Sequence, residues 1–384
     1  MPAAPARAMP VREIPTDSGL DPDSGSGLCL SGGGYRAMLF HLGTLWRLNE
    51  AGRLRGLDRI SSVSGGSITA GTLGLRWSKL DWQADVATNL VAEVVEPVRE
   101  LARHTIDVRS VLSGLLPFDT IGGEIAKAYR KHLFGDATLQ ALPDAGAPRF
   151  VLCATNLESG VLFRFSRPYI ADWRVGMIPD PDTSLADAVA ASSAFPPVLS
   201  PFTLDLSDAQ WETVEGNDLA TPDYRGKIAL TDGGVYDNMG LETVWKVCRT
   251  VLVSDAGGQM AADDAPPSLW PTQMLRVLAV IDNQVRDLRK RWTVDSYVRQ
   301  QREGAYWGIR SLVRDYGLPD PIVDPPDAAV LALAEVPTRL AELPDETQER
   351  LINWGYAICD TALRRWVDPQ IPRPAQLPYP SAGI

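Results

Sequence analysis

Ser61-Ser62-Val63-Ser64-Gly65-Gly66-Ser67 is the stretch on which the reading of this chain turns. A short apolar run, Leu57-Asp58-Arg59-Ile60, precedes it, and Ile68-Thr69-Ala70-Gly71-Thr72-Leu73-Gly74-Leu75 follows with helical character. A serine among small residues, where a strand turns into a helix, describes a nucleophile elbow. Such a turn is too tight for bulky neighbours, and it lifts the serine oxygen above the sheet edge. The usual spacing is Gly-x-Ser-x-Gly; here Ser62 holds the first glycine position and Gly66 the last. Taken alone, such a match reads more readily as a plain Ser/Gly turn than as a catalytic one.

Two other stretches have the same design. Leu28-Cys29-Leu30-Ser31-Gly32-Gly33-Gly34-Tyr35-Arg36-Ala37 is a buried-strand pattern running into three glycines and then a helix. Ile228-Ala229-Leu230-Thr231-Asp232-Gly233-Gly234 is an apolar run ending in an aspartate and two glycines. The glycine run opens a helix, so unpaired N–H groups and the positive helix end can hold an oxyanion or a phosphate. A turn that merely lets strand and helix pack closely is the alternative. The Gly-x-Gly-x-x-Gly of a dinucleotide site and the Gly-Lys-Ser/Thr of a P-loop are both absent.

Glycine loop, serine elbow and Asp-Gly-Gly, in that order, resemble the three motifs of the patatin-like phospholipases, from roughly Gly27 to Gly240. Ala191-Ser192-Ser193-Ala194-Phe195-Pro196-Pro197 looks like a further family stretch. The resemblance implies a Ser–Asp dyad without histidine, with Ser64 as nucleophile and Asp232 as base. It implies an oxyanion hole from the backbone around Gly32, Gly33 and Gly34. Arg36 matches the arginine that follows the family's glycine loop, where it would brace the loop or meet a substrate phosphate. Gly66, Gly233 and Gly234 would let the chain turn tightly beside the reacting groups. Ser62 and Ala37 depart from the family's glycines, but both are small and neither removes a reactive group.

The chain has 384 residues, 45% hydrophobic and 22% charged, enough for one large α/β domain or two smaller ones. Its net charge of −11 argues against nucleic-acid binding and against adsorption to anionic lipid through overall charge. Cys29, Cys153, Cys248 and Cys359 are widely spaced without metal-ligand spacing, and read as reduced thiols of a cytoplasmic protein. His41, His104 and His132 are too scattered for a metal site, and His41 reads as a packed residue inside the first helix. No metal or other cofactor is expected. No apolar run is long enough to span a bilayer.

Along the chain, residues 1–26 read as a mobile tail, 27–366 as the catalytic domain and 367–384 as a loose proline-rich tail. Helices are expected over 36–50, 82–103, 120–133, 185–194, 240–247, 285–313 and 346–366. Strands are expected at 28–30, 149–156, 161–165, 228–232, 250–255 and 274–282. Ile106 to Pro117 reads as a loop or short helix near the site mouth, and 201–227 as an exposed loop or lid. Asp237 and Asn238 are placed to hold the Asp232 loop. The long stretch 285–313 has a local basic bias, read as a solvated face or as a docking face for anionic lipid or a regulatory ligand. From about Gly257 onward no motif is assigned.

Alternating strands and helices point to a three-layer α/β/α sandwich around a central, mostly parallel sheet, with sites at the strand ends. The leading expectation is a cytoplasmic lipid acyl hydrolase acting on phospholipid or lysophospholipid esters, in peripheral contact with the membrane. The alternatives are a nonspecific esterase or acyltransferase, an effector activated by a ligand, partner or homo-oligomer, and a non-catalytic binding protein with the same fold.

Overall fold

A computed structural model describes residues 24–106, 119–197, 199–214 and 216–384. Each motif of the first half is a strand–turn–helix unit. Strand β1 (Ser26–Leu30) leads through the glycine loop into α1 (Gly34–Glu50), and β2 (Arg59–Val63) leads through Ser64 into α2 (Gly65–Arg76). A small hairpin, β3 (Trp82–Gln83) and β4 (Val86–Ala87), precedes α3 (Glu96–Ala102) and α4 (Asp119–Tyr129). The antiparallel run comprises β5 (Arg149–Asn156), β6 (Leu162–Phe165), β7 (Tyr169–Asp172) and β8 (Gly176–Pro179). It is followed by α5 (Leu185–Ser192), β9 (Phe202–Asp205), β10 (Lys227–Asp232), the single turn α6 (Gly234–Asp237) and α7 (Leu241–Trp245). Then come β11 (Thr250–Asp255), α8 (Trp270–Val298), β12 (Glu303–Gly308), α9 (Asp327–Ala334) and α10 (Asp345–Ala362).

The sheet runs β12-β11-β1-β2-β5-β6-β7-β8, the first five strands parallel and the rest antiparallel. Alternation along β1 sends Leu28 and Leu30 into the larger core under α1, α2 and α10, and Cys29 into a second core under α7. Helices therefore cover both faces, which is the expected three-layer α/β/α arrangement. All four cysteines are buried and free. No helix among the described residues is long and apolar enough to cross a membrane.

What positions the site is the edge of β5. Strand β2 pairs along it in parallel as far as Val63↔Cys153, and β10 continues the same edge antiparallel from Asp232↔Ala154. The two strands run toward each other, so residues 168 positions apart, Ser64 and Asp232, end side by side. Asp232 thus reaches the carboxyl ends of the parallel strands from the opposite direction.

Several expectations need correction. The helix over 82–103 begins instead with the β3–β4 hairpin and becomes helical only near Val91, because the turn at Gln83–Ala84–Asp85 interrupts the apolar period. The strand expected at 274–282 is the first half of α8, and the helix expected over 285–313 ends at Val298, giving way to β12. The stretch 201–227 carries an edge strand, β9, which pairs with β10. The tail after 366 is not loose: Asn353 Nδ2 donates to the carbonyls of Tyr379 and Gly383 at 2.8 Å, and Asn353 Oδ1 accepts from Tyr379 N at 2.9 Å. The expected N-terminal tail as far as residue 23, and the loop after Ile106 as far as 117, lie outside the described residues.

Candidate active site

Ser64 caps α2 with φ 52° and ψ −121°, a left-handed conformation that costs a non-glycine residue energy and recurs where a side chain must be aimed. Packing enforces it. A Cβ on Gly65 would lie 2.1 Å from the Gly34 carbonyl oxygen, and one on Gly66 would lie 2.5 Å from that of Leu30, so only glycines fit behind the serine. Ser62 occupies the missing-glycine position without strain, accepting a 3.0 Å hydrogen bond from the Ser67 hydroxyl.

Ser192, at the end of α5, ties the elbow to the sheet. Its Oγ accepts from the Ser64 amide at 3.0 Å, donates to the Cys153 carbonyl at 2.7 Å and lies 2.8 Å from Ser67 Oγ. The sequence marked this stretch as family-like but gave Ser192 no role. A small-residue helix stopping at a Phe-Pro-Pro was the available signal.

Asp232 is held from every side. Its amide donates to the Ala194 carbonyl at 2.9 Å, its carbonyl accepts from Thr155 Oγ1 at 2.9 Å, and its Oδ1 accepts from Gly234 N at 2.7 Å. Oδ2 is buried and has no hydrogen-bond partner among the described residues. Burial pushes the carboxyl up to about 7; the Gly234 N–H and the nearby Ser64 hydroxyl partly offset this, and Asp282 adds to it. The Ser64 hydroxyl is close enough to lower the carboxyl, and Oδ2 is left without a hydrogen-bond partner among the described residues. Active-site hydrogen bonds often tighten only when substrate binds.

The glycine loop separates into two kinds of residue. The Gly32 amide donates to the Asn238 carbonyl at 3.0 Å, so Gly32 anchors the loop and is not free to stabilise an anion. This corrects its expected place among the oxyanion donors. Among the described residues, the amides of Gly33 and Gly34 carry no hydrogen bond, and their φ values of 147° and 61° suit glycine. Asn238 joins the motifs, since its Oδ1 would also lie 2.6 Å from a Cβ on Gly234. Asp237 accepts from the amides of Glu242 and Met239, holding the start of α7, and lies 3.5 Å from Arg289 Nη1. Gly233 packs against Cys153, where a Cβ would approach the carbonyl oxygen to 2.2 Å.

Arg36 is buried and donates to the carbonyls of Ala256, Ala334 and Val336. It braces the loop against the C-terminal part of the chain. Burial, with Arg286 nearby, lowers its pKa to about 10. His41 is packed as expected: its ring nitrogens meet Ser254 Oγ and the Ser31 carbonyl, both at 2.9 Å, and burial brings it down to about 4.

A mainly apolar pocket of about 190 Å³ opens over Ser64, lined by Gly34, Ser193, Phe195, Leu199 and Leu340 among others. Thr338, Arg339 and Leu340 come from the third of the sequence that carried no motif. Tyr35 N donates to the Arg339 carbonyl at 3.0 Å, and a Cβ on Gly34 would lie 2.6 Å from that same oxygen. Among the described residues no group of three His, Cys, Asp or Glu is placed to hold a metal ion.

The family model described as patatin-like phospholipase matches residues 28–245. No curated protein sequence matches the chain. Among solved structures, human GIVD cytosolic phospholipase A2 in complex with methyl gamma-linolenyl fluorophosphonate and terbium chloride is similar at 18% identity and a TM-score of 0.50. The likeness covers 91% of this chain and 59% of that one. The same human protein with the fluorophosphonate alone gives 17% identity and a TM-score of 0.50, over 91% of this chain and 58% of that one. The chain therefore spans under two thirds of the length of these neighbours, whose likeness is one of fold. The family model covers more than half of the chain, including the glycine loop, the elbow and the Asp-Gly-Gly turn, and the chain belongs to the patatin-like phospholipase family.

Proposed function

We propose that the protein is a lipid acyl hydrolase that cleaves fatty-acyl esters of phospholipids or lysophospholipids through Ser64 and Asp232. The observation that carries the reading is their meeting on one edge of β5: a strained serine elbow beside a buried carboxyl pushed up to about 7, under an apolar pocket. A serine hydroxyl needs a base near it, and a carboxylate serves when burial raises its basicity.

In this reading Ser64 Oγ attacks the ester carbonyl carbon while Oδ2 of Asp232 takes the hydroxyl proton, Oδ1 staying on the Gly234 amide. The charge on the carbonyl oxygen falls to the amides of Gly33 and Gly34 at the N-terminus of α1. The tetrahedral intermediate collapses, the alcohol leaves with the proton from Asp232, and water hydrolyses the acyl-enzyme with Asp232 again as base. The apolar lining of Phe195, Leu199 and Leu340 suits an acyl chain. Arg36, fully engaged in bracing, takes no part in the chemistry.

The test is fatty-acid release from mixed phospholipid vesicles in excess chelator. Wild type should release fatty acid, and Ser64→Ala and Asp232→Asn should each fall by about 1000-fold or more. An Asp232→Asn enzyme at full rate, or release that chelator abolishes, would overturn the dyad.

A further inference from the structure

The end of α5 carries a second hydroxyl that the chemistry above does not use. Ser193 follows Ser192, is buried, and lines the pocket that opens over Ser64. Its Oγ donates to the Val189 carbonyl at 2.7 Å, with that of Ala190 at 3.4 Å, so its proton is turned back into the helix. Tyr129 Oη lies 3.1 Å from the same Oγ, and with the serine proton already placed the tyrosine is the donor of that pair. A serine hydroxyl has one proton and two lone pairs. Ser193 Oγ therefore keeps one lone pair and no proton, and whatever it meets in the pocket must donate to it.

That lone pair is fixed from two sides. Tyr129 is fully buried at the end of α4. Burial pushes its hydroxyl well up, the charge of Asp232 acts in the same sense and the bond to Ser193 partly offsets both, so the tyrosine keeps its proton. On the other side, residues 192–194 run beside the turn that carries the base. Gly233 N donates to the Ser192 carbonyl at 3.3 Å, and Asp232 N and Thr231 Oγ1 both donate to the Ala194 carbonyl, at 2.9 Å and 3.0 Å. Ser193 thus sits between the residue that holds the Ser64 amide and the residue that holds the Asp232 amide. A molecule that serves both Ser193 Oγ and Asp232 Oδ2 through one oxygen needs two protons on it. Water has them and an alcohol does not.

We propose that Ser193 positions the water that deacylates Ser64, and so sets the protein to hydrolysis rather than acyl transfer, an inference that rests on the Ser–Asp reading above. In the acyl-enzyme one water proton points to Asp232 Oδ2 and the other to Ser193 Oγ. As the water oxygen bonds to the acyl carbon, the first proton passes to Asp232. The bond from that carbon to Ser64 Oγ then breaks, Asp232 returns its proton to Ser64 Oγ, and the second water proton leaves on the carboxylic acid. An alcohol in the same place gives its one proton to Asp232 and sets carbon against Ser193, where a buried acceptor is left unpaired. Tyr129 touches no reacting atom; it is a positioning residue that directs the Ser193 lone pair.

The experiment is turnover of a soluble nitrophenyl ester by the full chain with methanol added, read as the ratio of methyl ester to free acid. Phosphonylation of Ser64 by a fluorophosphonate is timed alongside. Ser193→Thr and Ser193→Val are compared because they share a shape and differ by the hydroxyl. The threonine variant should keep the wild-type ratio, and the valine variant should raise it about tenfold while phosphonylating within about twofold of the threonine one. Tyr129→Phe should move the ratio the same way by a smaller factor. Equal ratios in the valine and threonine variants overturn the proposal, since shape alone would then decide. If neither folds, Ser193→Ala removes only the oxygen, and an unchanged ratio there overturns the proposal equally. Labelling of wild-type Ser64 without release of acid would also sink it. Turnover with an unmoved ratio leaves the hydrolase reading standing, whereas neither turnover nor labelling sinks that reading and this inference with it.

Discussion

Asp232 trades stability for basicity. A carboxyl pushed up to about 7 by burial keeps its proton in the native state at pH values where the unfolded chain has released it. Between about pH 4 and pH 7 the native state therefore binds more protons than the unfolded one, and stability falls as pH rises. Above pH 7 the full cost applies, roughly 4 kcal/mol, because each tenfold change in proton affinity is worth about 1.4 kcal/mol. Catalysis needs the opposite form, so kcat/KM should climb about tenfold per pH unit up to about 7 and then level off. Asp232→Asn keeps an acceptor for the Gly234 amide and removes the buried charge. It should be inactive yet melt higher than wild type at pH 8, the two curves converging below about pH 4. A lower melting temperature at pH 8 would mean that the ionised carboxylate is stabilised by groups other than those found around it. At this scale the sequence was informative about which residues matter and silent about their state. Asp232 stands out by its motif, but its burial follows from Ala194, Thr155 and α5 closing over it.

Helix α5 shows how a whole element is recruited to hold one oxygen atom. Its small residues allow close approach to the sheet, and its terminal Ser192 hydroxyl makes a junction between β5, the Ser64 amide and α2. Ser192→Ala leaves the Ser64 amide without an acceptor in a dry place, at a cost of about 1–3 kcal/mol. The expected outcome is stability lowered by that amount, read as a fall in melting temperature, and a kcat lowered more than KM is raised, because the elbow loses aim before the pocket loses shape. Ser192→Thr, which keeps the hydroxyl, should recover most of the loss; failure to recover would show that packing, not the hydrogen bond, is what Ser192 supplies. Elements that end on a chemically marked turn were legible: β1, β10 and β11 fall where apolar runs meet Gly or Asp. Helix α8 was not. Met274-Leu275-Arg276-Val277-Leu278-Ala279-Val280-Ile281 has the apolar, β-branched density of a strand. Only its continuation at Val285, Leu288 and Trp292 makes the helical stripe visible. With that stripe facing solvent, the usual link between apolar pattern and core gave no help.

Over the whole molecule, the third of the chain beyond the family match is built into the core that carries the site. Helix α10 lies on α1 by reciprocal glycine contact: a Cβ on Gly355 would sit 1.9 Å from the Phe40 carbonyl oxygen, and one on Gly43 would sit 1.9 Å from that of Ile352. No motif announces this. The apolar spacing of 346–366 announced a helix, but nothing in it named α1 as the partner. Helix α1 begins at Gly34, so its position sets the free amides proposed to receive the oxyanion, and Arg339 clamps the same turn from the other side. Gly355→Ala adds one methyl group where two backbones touch, and since backbone cannot swing aside as a side chain can, the helices must separate. The expected cost is about 1–3 kcal/mol. The shift should reach the chemistry: kcat should fall even though Gly355 lies in a helix remote in sequence from every motif. Gly123→Ala is the control, because a Cβ there meets nothing within 4 Å, and the same change in α4 should leave the melting temperature level or raised. If Gly355→Ala lost stability but kept full kcat, the α1–α10 contact would hold the fold without setting the oxyanion geometry, and the glycine loop would owe its shape to Arg36, Asn238 and Arg339 alone.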